Sequence, residues 1–305
     1  MPCRDDPIRP ARTVNLTERP MPNIVTAASA THRTKPTVIA LHCSGSSRRQ
    51  WHLLAAELED RFNVIAPDLF GAGSIGPWSG GRPFQLTDEA ALTVDIIDGT
   101  EMPVHLVGHS YGGAVALRAA IERPNRVASL SLYEPTIFHI LRSMGPDGRD
   151  MLHGVQAVAA QIERATLVGA YRKAAELFVD YWNGPGAWAA MPAERQAQIA
   201  RYLPKASLDF RALFNEATPL VAYRRLRVPL LLMQGEHAPA PTDTIVRKLT
   251  SFMQPASAMT VLGAGHMGPI SHAEPVAETI GDFIRSVEPN VGAARARDDV
   301  MRTAA

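Results

Sequence analysis

Val104-His105-Leu106-Val107-Gly108-His109-Ser110-Tyr111-Gly112-Gly113-Ala114-Val115-Ala116-Leu117-Arg118-Ala119-Ala120 is the stretch on which the fold turns. It opens as a short apolar, β-branched run and closes as a helix-forming one. Between them stands Gly-x-Ser-x-Gly. Such a string is common by chance, but set between a strand and a helix it points to a nucleophilic serine on a sharp turn. The reason is steric. The chain reverses within one residue, which forces Ser110 into a strained backbone conformation. Gly108 and Gly112 carry no Cβ, so strand and helix can approach each other there. The hydroxyl is left at the carboxyl end of the strand, over a helix N-terminus whose positive dipole end favours developing negative charge.

Outward from this turn the same alternation repeats. Apolar runs at 37–41, 62–66, 104–108, 127–132, 228–233 and 257–262 predict strands, and they are continuous rather than alternating. That pattern suits strands covered on both faces of a parallel sheet. Helical spacing lies between them, as in Trp51, Leu54, Ala55 and Leu58, and again in Val276, Ile280, Phe283, Ile284 and Val287. Strand–helix alternation predicts an α/β fold: an open, mostly parallel sheet with helices on both sides.

The alternation lapses between 132 and 228. Three helical stripes fill the gap: Val155, Val158, Ala159, Ile162; Tyr171, Ala174, Ala175, Phe178; and Phe210, Leu213, Phe214, Ala217. They predict an all-helical insertion over 138–226, since a structureless loop of that length is implausible. The α/β core then comprises 37–137 and 227–287. Residues 1–36 and 288–305 are polar, without periodicity, and are expected to be a flexible lead-in and tail.

Composition narrows the function classes. The 305-residue chain has 31 Lys plus Arg against 30 Asp plus Glu, a formal charge of +1. It lacks the basic field of a nucleic-acid binder. No apolar run reaches the roughly 18 residues of a membrane span, and residues 1–23 contain no secretory apolar core. Two cysteines, Cys3 and Cys43, make neither a disulfide framework nor a metal cluster. A cytoplasmic protein with no nucleic-acid or membrane partner is expected; composition leaves the oligomeric state open.

From about 37 to 287 the chain resembles the α/β-hydrolase superfamily. The resemblance rests on Leu41-His42-Cys43-Ser44-Gly45, on Ala66-Pro67-Asp68-Leu69-Phe70-Gly71, on the serine turn and on Gly263-Ala264-Gly265-His266, in the order the family uses. It implies that the helical insertion is a cap over the site and that His266 is the general base for Ser110. It also implies an oxyanion hole made by two backbone N–H groups, those of Tyr111 and Ser44. The loop differs from the family pattern in carrying Cys43 where glycine is usual. The third member, an acid for the histidine, stands in the family in the loop after the strand matching 228–233, where this chain has Ala238. Glu134, at the end of the 127–132 run, is the favoured candidate because some members place the acid there. Asp243 and Glu236 are the alternatives. Asp68 is expected to brace loops, and Trp78, Trp182 and Trp188 to line an apolar pocket or to anchor packing.

These residues imply a serine hydrolase of small carboxylic esters with a hydrophobic acyl portion, working through an acyl-enzyme and needing no metal or organic cofactor. Two other readings stand beside it. One is hydrolysis of a carbon–carbon bond in a diketone or ring-fission product at the same Ser/His site. The other is a non-catalytic ligand-binding or receptor protein on the same scaffold, suggested by Ala238.

Overall fold

The computed structural model describes the backbone over residues 35–303 and the side chains over 35–288. All of the lead-in expected over 1–36 except Lys35 and Pro36 lies outside the described residues. Among the described residues six strands are present: β1 Thr37–Leu41, β2 Asn63–Ile65, β3 Val104–His109, β4 Val127–Tyr133, β5 Leu230–Gly235 and β6 Ala256–Val261. They form one parallel sheet in the order β2-β1-β3-β4-β5-β6. The crossovers are helical, as parallel pairing requires: α1 His52–Leu58, α2 Leu86–Asp98 and α3 Tyr111–Glu122 follow β1, β2 and β3. Between β4 and β5 come a 3₁₀ turn Phe138–Ser143 and then α4 Gly145–Leu167, α5 Tyr171–Asn183, α6 Ala187–Ala190, α7 Ala193–Asn215 and α8 Leu220–Arg225. The chain closes with α9 Ala240–Phe252, β6, α10 Gly268–Ser271 and α11 Ala273–Thr303.

Successive side chains of a strand face opposite ways, and the two cores divide accordingly. Val38, Ala40, Val107, Leu231 and Met233 pack with Leu54 and Leu58 of α1 and Val276, Ile280 and Ile284 of α11. Their neighbours Ile39, Leu41, Leu106, Leu132 and Leu232 pack with α2, α3 and α9. Burial on both faces is why the central runs read as unbroken apolar stretches. The edges differ: residues 257–260 of β6 are exposed, because an edge strand lies beyond the helical cover.

The insertion is helical throughout its regular elements. Val155, Ala159 and Ile162 on α4, Ala174, Ala175 and Phe178 on α5, and Phe210 and Leu213 on α7 are buried. Tyr171 is exposed, and Ala217 lies past the end of α7 and is exposed too. The backbone of the expected tail is helical rather than irregular: α11 runs to Thr303, well beyond Val287. Among the described residues no helix is long and apolar enough to cross a membrane.

The strand order places the site. From β1 the chain moves outward to β2, then returns past β1 to β3, so the loops leaving β1 and β3 diverge. In open α/β sheets such a switch point opens a crevice at the carboxyl ends of the strands.

Candidate active site

β3 delivers Ser110 into that crevice. The residue sits at φ 54°, ψ −116°, outside the usual regions for an L-amino acid. Its own amide donates to Tyr133 O at 2.9 Å, and its carbonyl accepts from Gly113 and Ala114 at 3.0 and 3.1 Å. These bonds hold the strained turn in place. The flanking glycines are sterically required: a Cβ at Gly108 would lie 2.6 Å from Gly112 O, and one at Gly112 would lie 2.3 Å from Leu41 O. Among the described residues only one other non-glycine has positive φ, Glu134 at 43°. Strain of this kind concentrates at functional positions.

The loop after β6 carries His266 to the serine. His266 Nε2 lies 2.9 Å from Ser110 Oγ, and His266 Nδ1 lies 2.7 Å from Glu134 Oε2. All three side chains are buried. Glu134 Oε1 also accepts from Gly235 N at 3.0 Å, and Oε2 accepts from the Thr242 hydroxyl at 2.8 Å. Burial pushes the Glu134 carboxyl upward, but these hydrogen bonds and the neighbouring imidazole outweigh it and hold the group below the ordinary carboxylate range. An ionised Glu134 fixes the proton of His266 on Nδ1, which leaves Nε2 free to accept from the Ser110 hydroxyl.

A second layer holds the histidine loop. Tyr133 OH donates to Gly265 O at 2.8 Å, and His109 Nε2 donates to His266 O at 2.8 Å. Gln50 completes the link by donating to His109 Nδ1 at 3.1 Å and accepting from Cys43 N at 3.3 Å. Burial drives His109 well below its usual value, so it is neutral, as its accepting Nδ1 requires. His109 therefore points away from the serine hydroxyl and into the loop support.

The other two carboxylates lie elsewhere. Asp243 accepts from Gln234 at 3.1 Å and pairs with Arg247, and Glu236 accepts from Gly263 N at 2.8 Å; neither touches His266. Ser44 and Tyr111 both line the cavity above Ser110. Among the described residues no acceptor engages either backbone N–H, whereas the Cys43 amide is taken by Gln50. Cys43 is buried, and burial pushes its thiol up to about 12, so it is not a thiolate nucleophile. Asp68 accepts from Arg48 N at 2.8 Å and braces the loops after β1 and β2.

The cavity encloses about 200 Å³ and is lined by both the core loops and the insertion. Its walls are mostly apolar, with Phe138, Phe178, Trp182, Ile199, Phe210 and Leu213 prominent. Trp182 is the one expected tryptophan that reaches it. Trp78 packs instead on Phe70 and Phe84, and Trp188 is buried in α6. Gln50, Thr242 and Tyr133 were not legible as site residues, because isolated polar residues in a 3₁₀ turn, at a helix start and at a strand end carry no motif. Among the described residues no three His, Cys, Asp or Glu side chains are grouped so as to hold a metal ion.

A parallel sheet with this serine turn, a histidine on the last loop and an apolar cavity under inserted helices is the architecture of the α/β-hydrolase fold. Residues 38–279 match the model of the Alpha/beta hydrolase family, and the chain belongs to it. Among curated relatives, lipase LipV of Mycobacterium tuberculosis is 37% identical over 101 residues, covering 33% of this chain and 37% of the lipase. The shared stretch thus spans little more than a third of that relative's length. The 2-hydroxymuconate semialdehyde hydrolase of a Pseudomonas species is 28% identical over 275 residues, 82% of this chain and 87% of that enzyme. Among solved structures, carboxylesterase CesB of Bacillus subtilis superposes with a TM-score of 0.62 at 22% identity, over 82% of this chain and 84% of that one.

Proposed function

We propose that the protein hydrolyses small carboxylic esters with a hydrophobic acyl portion, through an acyl-enzyme on Ser110. The observation that carries this reading is the continuous relay Ser110–His266–Glu134, at 2.9 and 2.7 Å, opening onto an apolar cavity. His266 takes the hydroxyl proton as Ser110 attacks the carbonyl carbon. The developing oxyanion accepts from the amides of Tyr111 and Ser44, each worth about 2.7–4 kcal/mol in comparable sites. His266 then protonates the leaving alcohol. Water enters, gives its proton to the same imidazole, and releases the acid. Glu134 holds the ring in the working tautomer and stabilises the imidazolium. The helical insertion acts as the cap, and a cavity of about 200 Å³, below the roughly 300–1,000 Å³ of drug-sized sites, favours short acyl groups.

A second reading is hydrolysis of a carbon–carbon bond in a ring-fission dienoate, favoured by the likeness to 2-hydroxymuconate semialdehyde hydrolase over most of the chain. The receptor reading is suggested by Ala238, and the carboxylate of Glu134, 2.7 Å from His266 Nδ1, speaks against it.

Fluorophosphonate labelling read by mass spectrometry tests the nucleophile, and turnover of p-nitrophenyl esters beside a vinylogous diketone tests the substrate. The expected result is a label on Ser110 alone, faster turnover of short-chain esters than of the diketone, and loss of both label and turnover in Ser110→Ala. Preference for the diketone would move the assignment to the second reading. No label on a folded wild type would end the hydrolase reading.

A further inference from the structure

On the oxyanion side of the cavity, with Asp209 among the lining residues, lies a buried polar cluster that takes no part in the relay. Ser44 donates its hydroxyl to Asp209 Oδ2 at 2.6 Å, and Tyr111 donates its hydroxyl to Glu89 Oε2 at 3.0 Å. Lys205 joins the two carboxylates: its ammonium bonds Glu89 Oε2 at 2.7 Å and Asp209 Oδ1 directly. Tyr202 OH adds a bond to Asp209 at 2.8 Å, and the Phe70 amide one to Glu89 at 2.7 Å. Glu89, Lys205, Asp209, Tyr111 and Tyr202 are all buried. The Lys205 ammonium also lies 4.8 Å from the centre of the Tyr111 ring, within cation–π range.

The loop these bonds trace, Ser44–Asp209–Lys205–Glu89–Tyr111, begins and ends on the two cavity-lining residues read as the oxyanion donors. Ser44 follows β1, Tyr111 opens α3, and Glu89 belongs to α2. Lys205 and Asp209 come from α7, one turn apart on a single helix face. Among the described residues no hydrogen bond within the core connects the two side chains; the connection runs through the insertion. Three buried ionic groups make an expensive way to fill a core, since apolar residues of like volume often do as well. Oxyanion stabilisation, in contrast, demands donors held to a fraction of an ångström. Lys205 also offsets two buried carboxylates that would otherwise oppose a negative charge forming nearby.

We propose that Lys205 and Asp209 are positioning residues that hold the two halves of the oxyanion hole in register, so that the hole is complete only with α7 seated on the core. This rests on the reading of Ser110 as nucleophile with Ser44 and Tyr111 as oxyanion donors.

The test uses the full chain and a short p-nitrophenyl ester, with butylboronic acid as a tetrahedral analogue on Ser110. Ser44→Ala and Tyr111→Phe each delete one hydroxyl and leave the backbone amides in place. Each is expected to lower kcat about tenfold and to weaken butylboronic acid by a similar factor, with KM within about twofold, since misplaced donors act on the transition state. Asp209→Ala is expected to do the same, and Ser44→Ala/Asp209→Ala to be no slower than Asp209→Ala alone, because both cut one connection. Should Asp209→Ala fail to fold, the two hydroxyl deletions decide. Unchanged kcat in both deletions, additive losses in the double variant, or a rise in KM at constant kcat would overturn the proposal. A wild type without Ser110-dependent turnover would instead overturn the functional reading on which it stands.

Discussion

The indole of Trp182 lies flat on the imidazole of His266, with ring centres 4.1 Å apart and planes inclined by 20°. Phe138 stacks on the same tryptophan, 6.3 Å away at 16°. His266 is thus held from several directions: Glu134 and Ser110 at its two ring nitrogens, His109 at its carbonyl, and Trp182 on one face. The last contact comes from α5, so the inserted helices form part of the surroundings of His266 as well as the walls of the cavity.

Trp182→Leu removes this stack while keeping an apolar wall. Aromatic pairs contribute about 0.5–1.5 kcal/mol beyond their burial, so kcat/KM is expected to fall roughly 2–13-fold. Trp182→Phe keeps a ring and is expected to lose less. Steady-state rates on a short p-nitrophenyl ester give the answer. Equal activity in the leucine and phenylalanine variants would show that the stack plays no part in turnover.

The three carboxylates considered for the histidine make a sharper comparison. Glu134→Gln places an amide against His266 Nδ1, which favours the wrong tautomer and leaves the imidazolium unpaired. Comparable replacements of a buried triad acid lower kcat by about 10⁴. Asp243→Asn and Glu236→Gln alter groups bonded to Gln234, Arg247 and Gly263 N, and are expected to stay near wild-type rates. Fluorophosphonate labelling rates and kcat for the three variants would rank them, and a slow Asp243→Asn beside a normal Glu134→Gln would reverse the assignment.

Why the sequence separated some of these features and not others has physical causes. The strands at 37–41 and 104–108 were legible because burial on both faces demands unbroken apolar runs, and the serine turn because its sterics are satisfied by residues adjacent in the chain. Glu134, Asp243 and Glu236 were harder to rank. Their distances from His266 are set by how β4, β5 and β6 lie side by side, which no local spacing encodes. Lys205 and Asp209 were invisible for a related reason. Four residues apart on an amphipathic helix, they resemble an ordinary solvated ion pair, and only the packing of α7 over α2 and the β1 loop buries them. The α11 extension was missed because its residues after Val287 are too polar and Ala/Arg-rich to carry an apolar stripe.

Buried neutral histidines give the fold a pH dependence of its own. His42 accepts from Leu69 N through Nε2 at 3.0 Å, and its Nδ1 donates to Cys43 O at 2.8 Å. Protonating Nε2 would break the first bond inside a closed core. Burial accordingly pushes His42 down from 6.5 to about 4 and His139 to about 4 as well, and it drives His109 well below its usual value. In the unfolded chain these rings take a proton near pH 6.5, while in the folded chain His42 and His139 refuse it until about pH 4. The stabilisation is therefore fully present above 6.5 and is lost as pH falls towards 4, by at most about 1.4 kcal/mol per pH unit for each such ring. Glu134 does not blur this window, because a depressed carboxylate gives up stability only as pH falls below its ordinary value of 4.5. Urea midpoints are expected to be level between pH 7 and 8 and to drop steadily from 6.5 to 4.5. His42→Asn, already destabilised at pH 7, is expected to show a shallower drop over that range. A midpoint in the wild type that stayed constant down to pH 4.5 would mean that these rings accept protons without leaving the fold.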